Sequence, residues 1–356
     1  MDGQGTATLT NKTMRTAQQL VESGLIPQEQ QSAIEEVEES LSIAISPHFL
    51  ELIQPGVASD PIARQFVPSP EELMVAPGEL MDPIGDDPYT AVPGITHRYP
   101  DRLLLKPIHV CPVYCRFCFR REKVGTGGES LSAADLAVAL QYIADHEEVW
   151  EVILSGGDPL ILSDAKLFPI FKALHEIPHV QVIRIHTRYM VANPSRITDE
   201  LVKGLKGRAA VYIVLHCNHA NELSEEATAA CARLVDNGIP VLSQSVLLAG
   251  VNDTPEEMEA LMRAFVQRRV KPYYLHHLDL ARGTSHFRTT IERGQELMRL
   301  LRGRLSGLCQ PTYVLDIPGG FGKTPIGPCY LTPAPEPKSY LVEDYNAGSH
   351  LYVDRG

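Results

Sequence analysis

At 356 residues, with 44% hydrophobic and 21% charged side chains, the chain can bury a large core and has the make-up of a soluble globular protein. Its formal net charge of -12 argues against the basic surface that nucleic-acid binding requires, so no nucleic-acid partner is expected. No run approaches the ~20 apolar residues of a membrane span, and Met1–Lys12 lacks the basic and apolar regions of a signal peptide. A cytosolic protein without membrane attachment is therefore expected.

Residues 13–46 read as helices. Apolar positions recur at helical spacing in Gln18–Ser23 and Ile34–Ile45, with Gly24 and Pro27 between them. The stretch Pro47–Pro100, rich in Pro, Gly and Asp, reads as an irregular connection. From Leu103 onward short apolar, β-branched runs alternate with helical patterns. The strands expected are Leu103–Val110, Val149–Leu154, Val180–Ile185, Ala210–Leu215, Pro240–Leu247, Pro272–His277 and Thr312–Asp316. The helices expected between them are Ala133–His146, Ala165–Glu176, Thr198–Gly204, Glu225–Asn237, Pro255–Arg268 and Ile291–Leu305. Alternating strand–helix units predict an α/β fold with a parallel sheet, either a full or partial barrel or an open doubly wound sheet. In such folds chemistry gathers at the C-terminal ends of the strands, and nearly every polar motif below falls there.

The first of these motifs is Cys111-Pro-Val-Tyr-Cys115-Arg-Phe-Cys118, just after the first expected strand. Seven cysteines, an odd number with three inside eight positions, make a poor disulfide framework and a good metal-ligand set. Three thiolates on one short loop can hold three irons of a [4Fe–4S] cluster and leave the fourth open to a small chelating ligand. The alternative is a structural zinc, which wants four ligands, usually from paired C-x2-C motifs. No such partner pair lies nearby, and His109 is the only imidazole close to the loop. Cys217, Cys231, Cys309 and Cys329 are scattered.

The C-x3-C-x2-C spacing resembles that of the radical S-adenosylmethionine superfamily. Val152-Ile-Leu-Ser155-Gly156-Gly157-Asp158-Pro159 is similar to the glycine motif that ends the second strand in that superfamily. The resemblance implies a partial (β/α)6-type barrel, here preceded by an N-terminal helical lobe, a [4Fe–4S] cluster on Cys111, Cys115 and Cys118, and bound S-adenosyl-L-methionine. It further implies that Gly156 and Gly157 let the backbone approach the methionine end of that ligand, with Asp158 accepting a hydrogen bond from its amino group.

The last expected strand runs into Asp316-Ile-Pro-Gly-Gly-Phe-Gly-Lys323. A lysine on a glycine loop can clamp a phosphate, form a Schiff base with an aldehyde cofactor, or stand on a surface turn. The glycine that a nucleotide-binding Walker loop carries five residues before its Gly-Lys ending is absent. Taken together, residues 95–330 resemble lysine 2,3-aminomutase and its relatives, which pair the cluster with pyridoxal 5'-phosphate. That resemblance implies that Lys323 carries the cofactor, that Arg98, Tyr99 and Arg102 in Thr96–Arg102 bind its phosphate, and that Gln244 lies near both cofactors. Phe321 stands where the family often has another glycine. His216 also lies in a matching segment, and His186-Thr187-Arg188 ends the third strand within reach of the adenosyl ligand.

For the substrate, the resemblance matches Arg120 to the α-carboxylate, and Asp279 and Asp316 to the distal ammonium of lysine. The implied reaction moves the α-amino group of L-lysine to the β carbon by a 5'-deoxyadenosyl radical, after an electron donor reduces the cluster. Two features depart from the free-lysine enzymes: His276-His277 precede Asp279, and the segment after Lys323 is short. The second brings the chain nearer to compact relatives that modify a lysine residue of elongation factor P. A protein-bound lysine offers no free carboxylate to Arg120, and the compact relatives are similar nonetheless. A non-catalytic iron–sulfur or zinc protein is the rival of another class. The expected organisation is 1–95 helical region and connection, 96–330 barrel with the pyridoxal phosphate site, and 331–356 C-terminal tail. The sequence leaves the oligomeric state open, a homo-oligomer included.

Overall fold

A computed structural model describes residues 12–54, 56–57, 59–125 and 130–356. Met1–Asn11, on which the expectation of no signal peptide rests, lie outside the described residues. Among the described residues no helix is long and apolar enough to cross a membrane.

The N-terminal part opens with α1 (Ala17–Glu22) and α2 (Gln31–Ser40). Thr16 caps α1 through a capping box with Gln19, satisfying two of the first free N–H groups. The expected helical run to Ile45 stops at Ser40. The last residues are extended instead, and Ile45 exchanges backbone hydrogen bonds of 3.0 and 3.1 Å with Met14. The expected irregular connection contains α3 (Pro47–Leu52), α4 (Ala63–Phe66), two 3-10 turns and the strand β1 (Ile95–Tyr99). Pro at the start of α3, with Ser46 as its cap, gives that short helix its entry.

The sheet continues with β2 (Arg102–Ile108), β3 (Glu151–Gly156), β4 (Val182–Thr187), β5 (Ala210–His216), β6 (Val241–Val246), β7 (Val270–His276), β8 (Thr312–Asp316) and β9 (Lys323–Pro325). Their order in space is the order in sequence, β1 to β9. Strands β2 to β8 are parallel, and β1 and β9 close the two edges antiparallel. The parallel strands are joined by α5 (Ala133–Asp145), α6 (Asp164–Glu176), the short α7 (Tyr189–Ala192) with α8 (Asp199–Leu205), α9 (Glu225–Asp236), α10 (Pro255–Gln267) and α11 (Ile291–Leu301). Six crossovers on a curled, unclosed sheet make the partial barrel that the resemblance implied, and exclude the closed and doubly wound alternatives. All seven expected strands form. Those called from Val149 and Val180 begin two residues later, because both valines are fully buried just ahead of the strand. Leu, Ile and Val from the helix-facing side of the sheet and from the covering helices fill one continuous core, while the opposite side of the strands lines the cavity described below. The segment expected as a tail folds instead as a three-stranded antiparallel sheet of β10 (Leu331–Pro333), β11 (Ser339–Glu343) and β12 (Ser349–Val353).

Candidate active site

The loop after β2 brings the three cysteines to the C-terminal mouth of the sheet, and the N-terminal lobe fastens it. The backbone N–H groups of Tyr114 and Arg116 donate to Ala44 and Gln65 carbonyls at 3.0 and 2.9 Å. Arg116, between the second and third cysteines, grips Glu72 with Nε (2.9 and 3.0 Å) and Nη2 (2.7 Å). Arg121 binds the same carboxylate and donates to the carbonyls of Arg116 and Gly283. Burial pushes Glu72 up, but Arg116 and Arg121 outweigh it and hold the acid below its ordinary value. Burial raises Cys111 most, then the Asp158 carboxylate, and the three thiols lie close enough for Cys118 and Cys115 to add to it. Burial likewise raises Cys115 to about 11, and raises Cys118. Among the described residues no group of three or more His, Cys, Asp or Glu is drawn together around a single ion.

At the end of β3, Gly156 adopts φ +100°, and a Cβ there would stand 2.7 Å from the Ile108 carbonyl oxygen. A Cβ on Gly157 would meet Val110 O at 2.3 Å and Val110 N at 2.6 Å. The glycines therefore let β3 press on the backbone of the cysteine loop, a reason the sequence did not suggest. Asp158 is buried, and its oxygens already accept from Thr187 Oγ1 (2.9 and 3.0 Å), the Arg188 N–H (2.7 Å) and the Leu160 N–H (3.1 Å). Burial raises it to about 6, offset in part by those donors. It ties β3 to the end of β4, where Arg188 in turn binds Glu222 at 2.6 Å. His186 and His216 end β4 and β5 with ring centroids 5.7 Å apart, each with a buried Nε2 that no protein group satisfies. Burial keeps both neutral, His216 down to about 3. Gln244 on β6 lies in register with His216.

The glycine run between β8 and β9 is a hairpin loop in which Asp316 and Lys323 are cross-strand neighbours. Ile317 N–H donates to Gly322 O at 2.8 Å, and Gly319, Gly320 and Gly322 turn the chain at φ 88°, 86° and 89°, a region side-chain-bearing residues avoid. Lys323 Nζ stands 2.5 Å from Asp316 Oδ2 and 3.4 Å from His276 Nδ1. Burial would raise Asp316, but His276 and Lys323 hold it well below the carboxylate range. The Lys323 N–H donates to Tyr99 Oη at 2.9 Å. Arg102 stacks on the Tyr99 ring at 3.8 Å while pairing with Asp101 at 2.6 Å. Arg98 binds Asp86 Oδ1 at 2.9 Å, and Arg120 binds Asp86 Oδ2 at 2.8 Å. Asp279, after β7, has a buried Oδ1 with no partner, and burial followed by the neighbouring Asp316 pushes it up to about 7.

The fourteen residues expected to bind cluster, cofactors or substrate line one cavity of about 810 Å³: Cys111, Cys115, Cys118, Gly156, Gly157, Asp158, Gln244, Lys323, Arg98, Tyr99, Arg102, Arg120, Asp279 and Asp316. Residues 105–265 match the family model of the Radical SAM superfamily. The chain is 43% identical over 318 residues to L-lysine 2,3-aminomutase of Clostridium subterminale, covering 89% of this chain and 76% of that one. With L-lysine 2,3-aminomutase of Acetoanaerobium sticklandii it shares 45% over 303 residues, 85% and 73% of the two chains. The chain belongs to the lysine 2,3-aminomutase family.

It is thus a radical S-adenosylmethionine aminomutase, and membership implies a [4Fe–4S] cluster and S-adenosylmethionine. The residues fit both: three thiols on one short loop supply the ligands for an open-iron cluster, and the unsatisfied His186 and His216 nitrogens leave polar contacts for a ligand beside it. Identity alone does not fix the substrate, because glutamate 2,3-aminomutase of Clostridioides difficile is 42% identical over 84% of this chain and 70% of that one. Three residues of this aminomutase site escaped sequence reading. Glu72, Asp86 and Glu222 lie far in sequence from the arginines they bind, and an acid in the Pro-rich connection or in the turn after β5 carries no sign of being buried.

Proposed function

We propose that the chain moves the α-amino group of L-lysine to the β carbon, with pyridoxal 5'-phosphate carried on Lys323. One observation carries the substrate: Asp279, with its unpartnered oxygen, and Asp316 share a cavity with Arg120. Two acids suit the distal ammonium of lysine, and a guanidinium suits its α-carboxylate. A glutamate side chain would meet like charge at the acids.

The residues also fit pyridoxal phosphate. Lys323 Nζ opens to the cavity, and the buried Arg98 Nε has no protein partner. When bound, the reduced cluster with S-adenosylmethionine supplies a carbon radical that removes a substrate hydrogen, and the pyridine system supports the shift of nitrogen between carbons. The chain's own part is positional. Cys111, Cys115 and Cys118 would hold the cluster, with Gly156 and Gly157 seating β3 against their loop. Asp316 Oδ2 and His276 Nδ1, both within 3.4 Å of Lys323 Nζ, hold that nitrogen at the cavity wall, with the Asp316 carboxylate balancing its charge. Tyr99 fixes the backbone beneath that lysine. Arg98 and Arg102 would receive the phosphate, and Gln244 would lie near both cofactors.

The same chemistry on a lysine residue of elongation factor P is a second reading, favoured by the Arg120–Asp86 pair. Asp86 balances Arg120 without a substrate carboxylate. Reconstituted, anaerobically reduced enzyme is incubated with free lysine and with the factor separately, and products are read by mass spectrometry. β-Lysine from the free amino acid supports the first reading. Cleavage of S-adenosylmethionine with modification of the factor alone would replace it by the second.

A further inference from the structure

Asp86 faces both arginines assigned to anions, and neither the family match nor the sequence gives it a task. Its two oxygens are divided, Oδ1 to Arg98 and Oδ2 to Arg120, and its side chain is nearly fully buried. The backbone carrying it is fixed. Asp82 Oδ1 accepts the Asp86 N–H at 2.9 Å, and Tyr89 N–H donates to Asp86 O at 3.2 Å. Immediately before it, Gly85 packs on the lysine hairpin so closely that a Cβ would stand 2.4 Å from Gly320 N. With its backbone fixed, and its nearly buried carboxylate held by an arginine at each oxygen, Asp86 is built as a standing part of the site rather than as a placeholder for an incoming anion.

We propose that Asp86 is a positioning residue that sets Arg98 and Arg120 as a matched pair, so that cofactor phosphate and substrate carboxylate are received at a fixed separation. The inference rests on the reading of Lys323, Arg98 and Arg120 given above. Each guanidinium spends one edge on Asp86 and keeps other N–H groups for its own anion; a planar fork allows this where a lysine would not. Burial pushes Asp86 up, but Arg120, Lys106 and Arg98 outweigh it, so the group is ionised in neutral solution.

The test titrates the full wild-type chain, Asp86→Asn, Asp86→Glu and Lys323→Ala with pyridoxal phosphate and with pyridoxal, reading the visible absorption of the lysine-bound cofactor. The cofactor-loaded chains are then titrated with lysine and with cadaverine, which lacks the carboxylate, by the change in that absorption. Asp86→Asn is expected to weaken pyridoxal phosphate and lysine about tenfold each, the loss of one charged hydrogen bond. Pyridoxal and cadaverine should stay within about twofold. Asp86→Glu, which keeps the charge but is one methylene too long, should lose less. Equal losses for the charged and uncharged partner of each pair, or no loss at all, would overturn the role of Asp86. If Asp86→Asn does not fold, Asp86→Glu decides: unchanged phosphate and carboxylate preferences overturn it. A wild-type chain without the visible band, no different from Lys323→Ala, would remove the Lys323 reading and this inference with it.

Discussion

Replacing Glu72 by Gln tests whether the N-terminal lobe truly holds the cysteine loop. The carboxylate is inaccessible, and the two guanidiniums it joins are only 3% and 5% exposed. Removing one partner of a buried pair costs about 3–5 kcal/mol, because the other charge is left uncompensated. Here two arginines share one acid, but both keep carbonyl acceptors: Arg116 at Ser42 O, and Arg121 at Arg116 O and Gly283 O. A single penalty near the middle of that range, about 4 kcal/mol, is therefore expected rather than two. With a urea slope of about 3 kcal/mol per molar, the midpoint of the apo chain should fall by more than ~1 M. The variant should also lose iron on desalting after reconstitution, since Cys115 and Cys118 flank Arg116. The sign with pH follows from the depressed acid. The clamp contributes fully above the ordinary glutamate value of 4.5 and is lost as pH falls through its lower folded value. Glu72→Gln should therefore abolish that acid-dependent part of the stability. A loss under about 1 kcal/mol with full iron retention would refute the clamp.

Asp279, raised to about 7 chiefly by burial and then by Asp316, carries a proton below that pH, which an incoming ammonium must displace. Lysine affinity should rise with pH up to about 7 and then level, and Asp279→Asn should flatten that profile and weaken binding about ten- to a hundredfold. Calorimetry with lysine across pH decides it, and an unchanged profile counts against the acid pair. Lys323→Ala should abolish the visible cofactor band while leaving the iron–sulfur absorption; a retained band would mean another amine carries the cofactor. Gly157→Ala drives a Cβ to 2.3 Å from Val110 O, an overpacking that costs about 1–3 kcal/mol. A melting temperature equal to wild type would show that the loop backbone can retreat.

The barrel strands were legible because each carries a short apolar, β-branched run whose helix-facing side chains are buried in the core, and the sequence contains seven. The elements that escaped are those that such a pattern does not govern. β1 is a polar edge strand, Ile-Thr-His-Arg-Tyr, whose side chains serve the cavity; β9 is three residues long and starts at the lysine. Every residue of β12 is exposed, so no buried face imprints alternation on it. In the 47–100 connection short helices and turns persist through tertiary contacts, above all the Glu72 and Asp86 ion pairs, rather than through any periodicity of their own.

The site follows the same division. Residues with a spacing or a strand end to mark them, the cysteine triad, Lys323, Asp279 and Asp316, converge as expected because a curled parallel sheet points all its C-terminal ends into one mouth. Asp158 shows the limit of that argument. Its position in a motif located it correctly at the mouth, yet position says nothing of which donors a carboxylate meets. Thr187 and Arg188, about thirty residues on, already donate to its oxygens. The residues that reach toward ligands are those left with unspent hydrogen-bonding capacity after folding, such as Asp279, His186 and His216. The residues that hold these in place are paired off and invisible to motif reading. A family motif therefore identifies the cavity, while the unsatisfied polar atoms mark where its wall still has hydrogen bonds to give.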